Sequence, residues 1–274
     1  MRRLVAPAWI LLAVSGVALG DPRPTTTPPH PPETVLSCMS ANVPSTVRAQ
    51  SVELFSLERD GTSRTLTGRI YASQEADPGG RKRVRAVLQV DGPKDLAGAA
   101  YLVRETGMST RDGVYLYLPS LGSPRKISGA SATNSLLGTA FSFQEFKLLL
   151  NSFEGVTATV ESFGDLDGRG VYIVSFKSDD PTTEAGVTRA WIDRKTCVPL
   201  RADFYRRDKV QKRATIRPDA IKQARDVWYP AEVEMKDLVS GTSSTLRATV
   251  LEPKQPVPSA VFDITTFYQP YSGP

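Results

Sequence analysis

The sequence predicts a mainly β fold: a long antiparallel meander of short strands, forming either a barrel or a strongly curved open sheet. Three observations predict it. Runs of period-2 hydrophobicity recur along most of the chain, separated by Gly, Pro and Asp. Only two segments carry helical spacing, and several strand-like runs are apolar on both faces. At 274 residues and 40% hydrophobic content, the chain can bury the core of one large domain or two small ones, which excludes disorder and fibrous classes.

The first element is a targeting signal. Arg2 and Arg3 form a charged start, Trp9 to Val14 an apolar run, and Ala18-Leu19-Gly20 a small-residue cleavage site before Asp21. Residues 1–20 therefore read as a secretory signal peptide, too short to span a membrane and with no cysteine at the cleavage site to carry a lipid anchor. The mature chain is expected to be soluble and exported, periplasmic or secreted. Cleavage removes two arginines and no acid, taking the formal charge from +5 to +3; a mildly basic exported protein of this kind needs no nucleic-acid partner. Residues 21–33, rich in Pro and Thr, read as an extended linker.

Residues 34–270 carry the patterned part of the chain. Thr34 to Val43 has apolar residues at 35, 36, 39 and 43, close to helical spacing, and Pro44 ends it. Strands are expected at 46–58, 63–75, 83–91, 99–105 and 113–118, divided by Asp60-Gly61, Pro78-Gly79-Gly80, Gly92-Pro93 and Asp112-Gly113. A second helix is expected over 142–151, with Ser142 as N-cap and Glu145 completing a capping box. Strands resume at 156–163, 170–177, 187–193, 199–206, 209–216, 230–238 and 244–252, with Asp167-Gly168, Arg207-Asp208 and Ser240-Gly241 as turns.

In GVYLYL (113–118) the tyrosines face one way and Val114, Leu116 and Leu118 the other; Val171 and Ile173 alternate with Tyr172, Val174 and Phe176 in the same manner. An antiparallel sheet ordinarily keeps one face wet, so two apolar faces mean either a core filled under helices or a sheet lining a cavity. The filled core is the commoner arrangement; what lifts the cavity reading is the shortage of helix, since a sheet of about a dozen strands has more concave face than two short helices fill.

The residue inventory excludes much catalytic chemistry. His30 is the only histidine and is flanked by four prolines, so it reads as a solvated linker residue; Ser-His-Asp, Cys-His and histidine-rich zinc sites are excluded, and no metal or cofactor is expected. The carboxylates Asp193, Asp203 and Asp237 show no paired spacing for acid–base work, so the chain is not read as an enzyme. The two cysteines, Cys38 and Cys197, lack any CxxC spacing and form either one structural disulfide, as export favours, or two buried thiols. Asp165-LDGRG reads as a hairpin turn rather than half of a calcium loop. Arg81 to Arg85 reads as a solvated basic cluster, and 128–140 as a small, polar loop.

The run GVYLYLPSLGSPRKISGASATNSLLGTAFSFQEF (113–146) resembles the signature of the outer-membrane lipoprotein-sorting family, which is similar to the periplasmic lipoprotein carrier LolA. Its LPSLG turn, basic-Ile-Ser-Gly step and Gly138-Thr-Ala-Phe-Ser-Phe stretch carry the likeness. AWIDRKTCVPLRADFYRRD (190–208) and VWYPAEVEMKD (227–237) extend it, so that it covers roughly 34–268. The resemblance implies an unclosed β half-barrel with helices as a lid over an apolar concave face. It implies binding of a lipid or lipoprotein acyl chain there, and movement of that cargo between membranes by a monomeric carrier, in exchange with an inner-membrane transporter or outer-membrane acceptor.

On this reading the candidate lipid contacts are Tyr115, Tyr117, Leu118, Phe141, Phe143, Phe146, Tyr172, Val174 and Trp191. For Tyr115 and Tyr117 two orientations stand open, toward the cavity mouth or outward against neighbouring strands. Phe141, Phe143 and Phe146 read first as lid-to-sheet packing. Arg125 and Lys126 form either a solvated basic turn or a contact to a headgroup or partner. A second function class also stands: a non-enzymatic periplasmic sensor or accessory subunit that docks on an inner-membrane transporter through residues 119–126.

Overall fold

The computed structural model describes residues 31–271, apart from 78, 106, 108–111, 184–185 and 253–254. The signal segment, His30 and all but the last three linker residues lie outside the described residues. Helix α1 spans Pro32–Ala41, two residues ahead of the expected start, because Pro32 occupies the first turn where a missing N–H has no cost. Six strands follow: β1 (Arg48–Leu57), β2 (Ser63–Ala76), β3 (Lys82–Gly92), β4 (Ala100–Arg104), β5 (Gly113–Tyr117) and β6 (Arg125–Ile127). Helix α2 (Phe143–Leu149) begins at the expected capping box, in which Ser142 Oγ accepts from Glu145 N and Glu145 Oε2 accepts from Ser142 N.

Beyond it come β7 (Val156–Leu166), β8 (Arg169–Ser178), β9 (Thr188–Asp193), β10 (Pro199–Arg206), β11 (Lys209–Thr215), β12 (Ile221–Ala224), β13 (Val227–Pro230), β14 (Glu232–Asp237) and β15 (Ser243–Leu251). Thirteen of these strands form one antiparallel sheet, ordered β6-β5-β4-β3-β2-β1-β15-β14-β11-β10-β9-β8-β7. Two meanders meet along the β1–β15 ladder, while the edges β6 and β7 do not pair, so the barrel stays open. The chain passes from one edge to the other through α2, so this helix crosses the sheet's concave face.

The register assigns the two faces. Ile70, Leu88, Tyr101 and Leu116 pair in one unbroken row across β2 to β5, and Phe143 of α2 stacks on Tyr101 with ring centroids 5.7 Å apart. That row therefore lies on the concave face. The adjacent row, Ala49, Tyr71, Val87, Leu102 and Tyr115, is convex, and the segment 257–271 packs over it with Val261, Phe262 and Phe267. Gln89 Nε2 fastens the strap by donating to the carbonyls of Phe267 (2.7 Å) and Gln269 (2.9 Å). Both faces of this half are apolar because both are covered.

Three expectations are corrected. Arg125 and Lys126 do not sit in a turn: they belong to the short edge strand β6, opposite Leu116 and Tyr115. The strand expected at 230–238 begins at Glu232, and residues 221–230 form a separate hairpin, β12–β13. The basic cluster at 81–85 is not a solvated loop, since Arg83 pairs with Asp77 and Arg85 with Glu75 (3.0 Å), with its guanidinium over the Phe262 ring.

Candidate functional site

The concave face narrows to a trough between the helices and the second meander. Ala190, Ala202 and Ala214 pair directly across β9, β10 and β11, and Met235 of β14 continues the row. Three alanines side by side leave a channel that larger side chains would fill. Met39 of α1, Phe141 before α2, and Leu148 and Leu149 of α2 and its end roof this channel; Phe153, Phe176, Phe204 and Val233 complete an almost wholly apolar lining around ≈ 50 Å³ of free space. The outward neighbours of these alanines are arginines, and the Arg-Ala dipeptide recurs at 189, 201 and 213. That twelve-residue recurrence is the signal in the sequence that marks the trough, and periodicity of large apolar residues passes over it.

The trough opens into a wider mouth of ≈ 290 Å³ between α2 and the β9–β11 end. Ser142, Gln144, Glu145 and Leu148 form one side; Val187, Thr188, Phe204, Tyr205, Gln211 and Lys212 form the other. Lys212 Nζ bridges the mouth, donating to Ala140 O at 2.8 Å and pairing with Glu145 Oε2 at 3.1 Å. Val187 and Val239 stand at its rim, 38% and 65% exposed. The opposite end is sealed. The Cys38–Cys197 disulfide (Cα–Cα 5.7 Å) ties α1 to the β9–β10 turn, and Asn42 links that turn to the small hairpin by donating to Thr196 O (2.8 Å) and accepting from Trp228 N (2.9 Å).

The two roofing helices are held differently. Helix α1 is covalently fixed, whereas α2 rests on side chains alone. Phe143 and Phe146 are 5% and 0% exposed, Phe146 packing edge-on against Tyr101 and Phe141. Burial, with Glu105 adding to it, pushes the Tyr101 hydroxyl well above its ordinary value, so it stays a neutral donor to Phe143 O at 2.8 Å. Lys147 is buried and donates to Glu105 Oε1 (2.7 Å) and Glu154 O (2.6 Å), joining α2 to the end of β4. Residues in left-handed backbone flank the helix on both sides, Leu137 at φ 52° and Asn151 at φ 60°.

The candidate contacts fall on both sides of the sheet. Phe141, Phe143 and Phe146 form the lid-to-sheet packing, and Tyr172 and Val174 lie on the concave side beneath α1. Leu118 packs at the edge of the same concave core. Tyr115 and Tyr117 are convex: Tyr115 is under the strap and Tyr117 stacks on Tyr268 at 3.9 Å. Trp191 pairs with Ile173 and Arg201 on the side opposite Ala190, with the Arg201 guanidinium 4.4 Å from its ring. Lys126 Nζ donates to Asp112 O at 2.9 Å. Of the carboxylates, Asp193 is held by Arg169 and Thr196, Asp203 by Arg201 and Arg213, and Asp237 accepts from Val239 N and Ser240 N in its own turn. No described helix is long and apolar enough to cross a membrane.

A protein-family model described as "-like: Uncharacterized protein" matches residues 82–267, well over half of the chain. The chain belongs to that family. Its fold is the LolA-like half-barrel, shared with three solved structures. A protein domain named for outer membrane lipoprotein sorting, from Vibrio parahaemolyticus, aligns at TM-score 0.72 and 19% identity over 86% of this chain and 97% of its own. A DUF1329 family protein from Desulfovibrio piger aligns at 0.71 and 18%, over 86% and 98%. A LolA superfamily protein from Nitrosomonas europaea aligns at 0.63 and 15%, over 85% and 97%. The search of curated proteins finds no match.

Proposed function

We propose that the protein carries the acyl chain of a lipid or lipoprotein in the alanine trough beneath α2. The reading takes residues 1–20 as an export signal, 21–33 as a linker and 34–270 as a single carrier domain working in the periplasm between a membrane donor and a membrane acceptor. The observation that carries it is the trough itself: an apolar channel floored by Ala190, Ala202 and Ala214, closed at one end and opening at a mouth of mixed polarity with Val187 and Val239 at its rim. Burial of an acyl chain gains about 0.8 kcal/mol per methylene, so such a channel suffices for affinity without any reactive side chain. A neighbour of the same fold is named for lipoprotein sorting, which fits this reading.

The free space of ≈ 50 Å³ in the trough is far below the roughly 300–1,000 Å³ of ligand pockets, so on this reading the roof is closed and loading requires it to move. Helix α2 is the part that moves, because α1 is held by the disulfide. Docking through 119–126 has less support, since residues 125–127 pair with β5 as a sheet edge. The test is solvent extraction of the purified protein followed by mass spectrometry, together with uptake of a fluorescent fatty-acyl probe. Acyl lipids and saturable uptake are expected; a protein that carries no lipid and takes up no probe overturns the proposal.

A further inference from the structure

A second cavity, of ≈ 460 Å³, lies at the sealed end, bounded by the 43–49 segment, the β12–β13 turn and the end of β15. The charged residues lining it are Arg48, Lys82, Arg225, Asp226 and Glu252. Arg225 and Glu252 pair with each other at 3.5 Å and are both largely exposed. Arg48 is different. It opens β1 on the concave side and is mostly enclosed, its Nη1 donates to Asn42 O at 3.0 Å, and its guanidinium lies 5.8 Å from the centre of the Tyr229 ring.

No carboxylate among the described residues pairs with Arg48, and its enclosed Nε has no acceptor. Burial pulls its pKa down to about 10, against a smaller upward pull from Tyr229. An arginine withdrawn from water without a counter-charge is unfavourable, and the usual remedy is an oxyanion, which the planar guanidinium grips with paired N–H groups. Lys82, across the cavity, forms no ion pair among the described residues and adds a second cation. Gln74 also lines the cavity, its amide nitrogen donating to Val43 O while its buried Oε1 lacks a donor, so an anion bearing its own hydroxyl suits the site.

We infer that this cavity binds a small phosphate-bearing ligand, with Arg48 gripping the oxyanion, Lys82 adding charge and Gln74 Oε1 accepting from a ligand hydroxyl. The site lies at the end away from the trough mouth, so it stands apart from acyl-chain binding. A phosphate group can come from a free metabolite or a lipid headgroup. Calorimetric titration with inorganic phosphate and with glycerol 3-phosphate, at fixed ionic strength, tests the first source. Flotation with phosphatidylglycerol against phosphatidylcholine vesicles tests the second.

Saturable binding of a soluble phosphate is expected. Arg48→Met should weaken it by about 10- to 100-fold, the loss of one charge-assisted contact, and Lys82→Gln by less, with acyl-probe uptake unchanged in both. Binding to phosphatidylglycerol vesicles alone, lost in Arg48→Met, assigns the site to a headgroup. Absence of binding to all these probes, or binding that survives Arg48→Met, overturns the inference. Should Arg48→Met fail to fold, the thermal midpoint of the unaltered protein decides: it rises with glycerol 3-phosphate at constant ionic strength if the site exists and stays fixed if it does not.

Discussion

Replacing Phe146 with alanine should tighten acyl-chain binding while weakening the fold. In the closed state Phe143 and Phe146 are 5% and 0% exposed, and both lose their contacts with Tyr101 when α2 lifts. Burying one such side chain is worth about 1.5–3 kcal/mol, so the two phenylalanines hold α2 down by about 3–6 kcal/mol. An incoming acyl chain offsets this at about 0.8 kcal/mol per methylene, so roughly four to eight methylenes only balance the opening. Phe146→Ala removes about half of the barrier to opening, which corresponds to about 10- to 150-fold tighter binding. The shortest chain that binds should shorten by about two to four methylenes. Fluorescence titration with fatty acids of about eight to sixteen carbons reads this directly, beside thermal unfolding, where a loss of about 3–5 kcal/mol is expected. Unchanged or weaker binding by a variant that keeps its β-sheet circular dichroism refutes a lid made by α2.

Three further outcomes follow from the same geometry. Ala202→Phe places a ring on the floor of the trough; it should abolish acyl-probe uptake while overpacking costs about 1–3 kcal/mol by denaturant titration. Reducing Cys38–Cys197, which closes a loop of 159 residues, should lower stability by up to about 5 kcal/mol on chain-entropy grounds, read as a fall in denaturation midpoint on adding a thiol reductant. Burial alone would raise the Asp203 carboxyl, but Arg201 and Arg213 outweigh it and hold the group below its ordinary value. Its contribution is therefore complete above the unfolded value of about 3.9 and is lost as pH falls through the lower folded value. Asp203→Asn should flatten that part of the acid-unfolding curve, and an unaltered curve refutes the assignment.

The hairpins were legible where a turn dictates its own residues: Asp60-Gly61 and Asp167-Gly168 stand at the ends of β1 and β7, and Ser142 with Glu145 opens α2. The orientation of Tyr115 and Tyr117 was not legible, because the opposite faces of β5 are buried by different parts of the chain. Helix α2 covers Leu116, and the strap at 257–271 covers Tyr115. That strap has no periodicity; its prolines and short 3-10 turn at Ser259–Phe262 give no sign of which surface it will cover. Strand β6 escaped because Pro124 and Gly129 frame it like a turn, and only pairing with β5 makes it extended. At the site, the phenylalanines announced themselves by size, whereas the trough is made by what Ala190, Ala202 and Ala214 lack. A binding surface formed by absence leaves little hydrophobic signal.

The covalent tie between α1 and the β9–β10 turn also shapes how the molecule is made. Cys38 leaves the ribosome long before Cys197, and during that interval the chain offers it no other cysteine. With two thiols there is one possible pairing, so maturation calls for an oxidant but not for the reshuffling that proteins with several disulfides need. The roof helix laid down first thus stays unfastened until the β9–β10 turn has been made and brought to it.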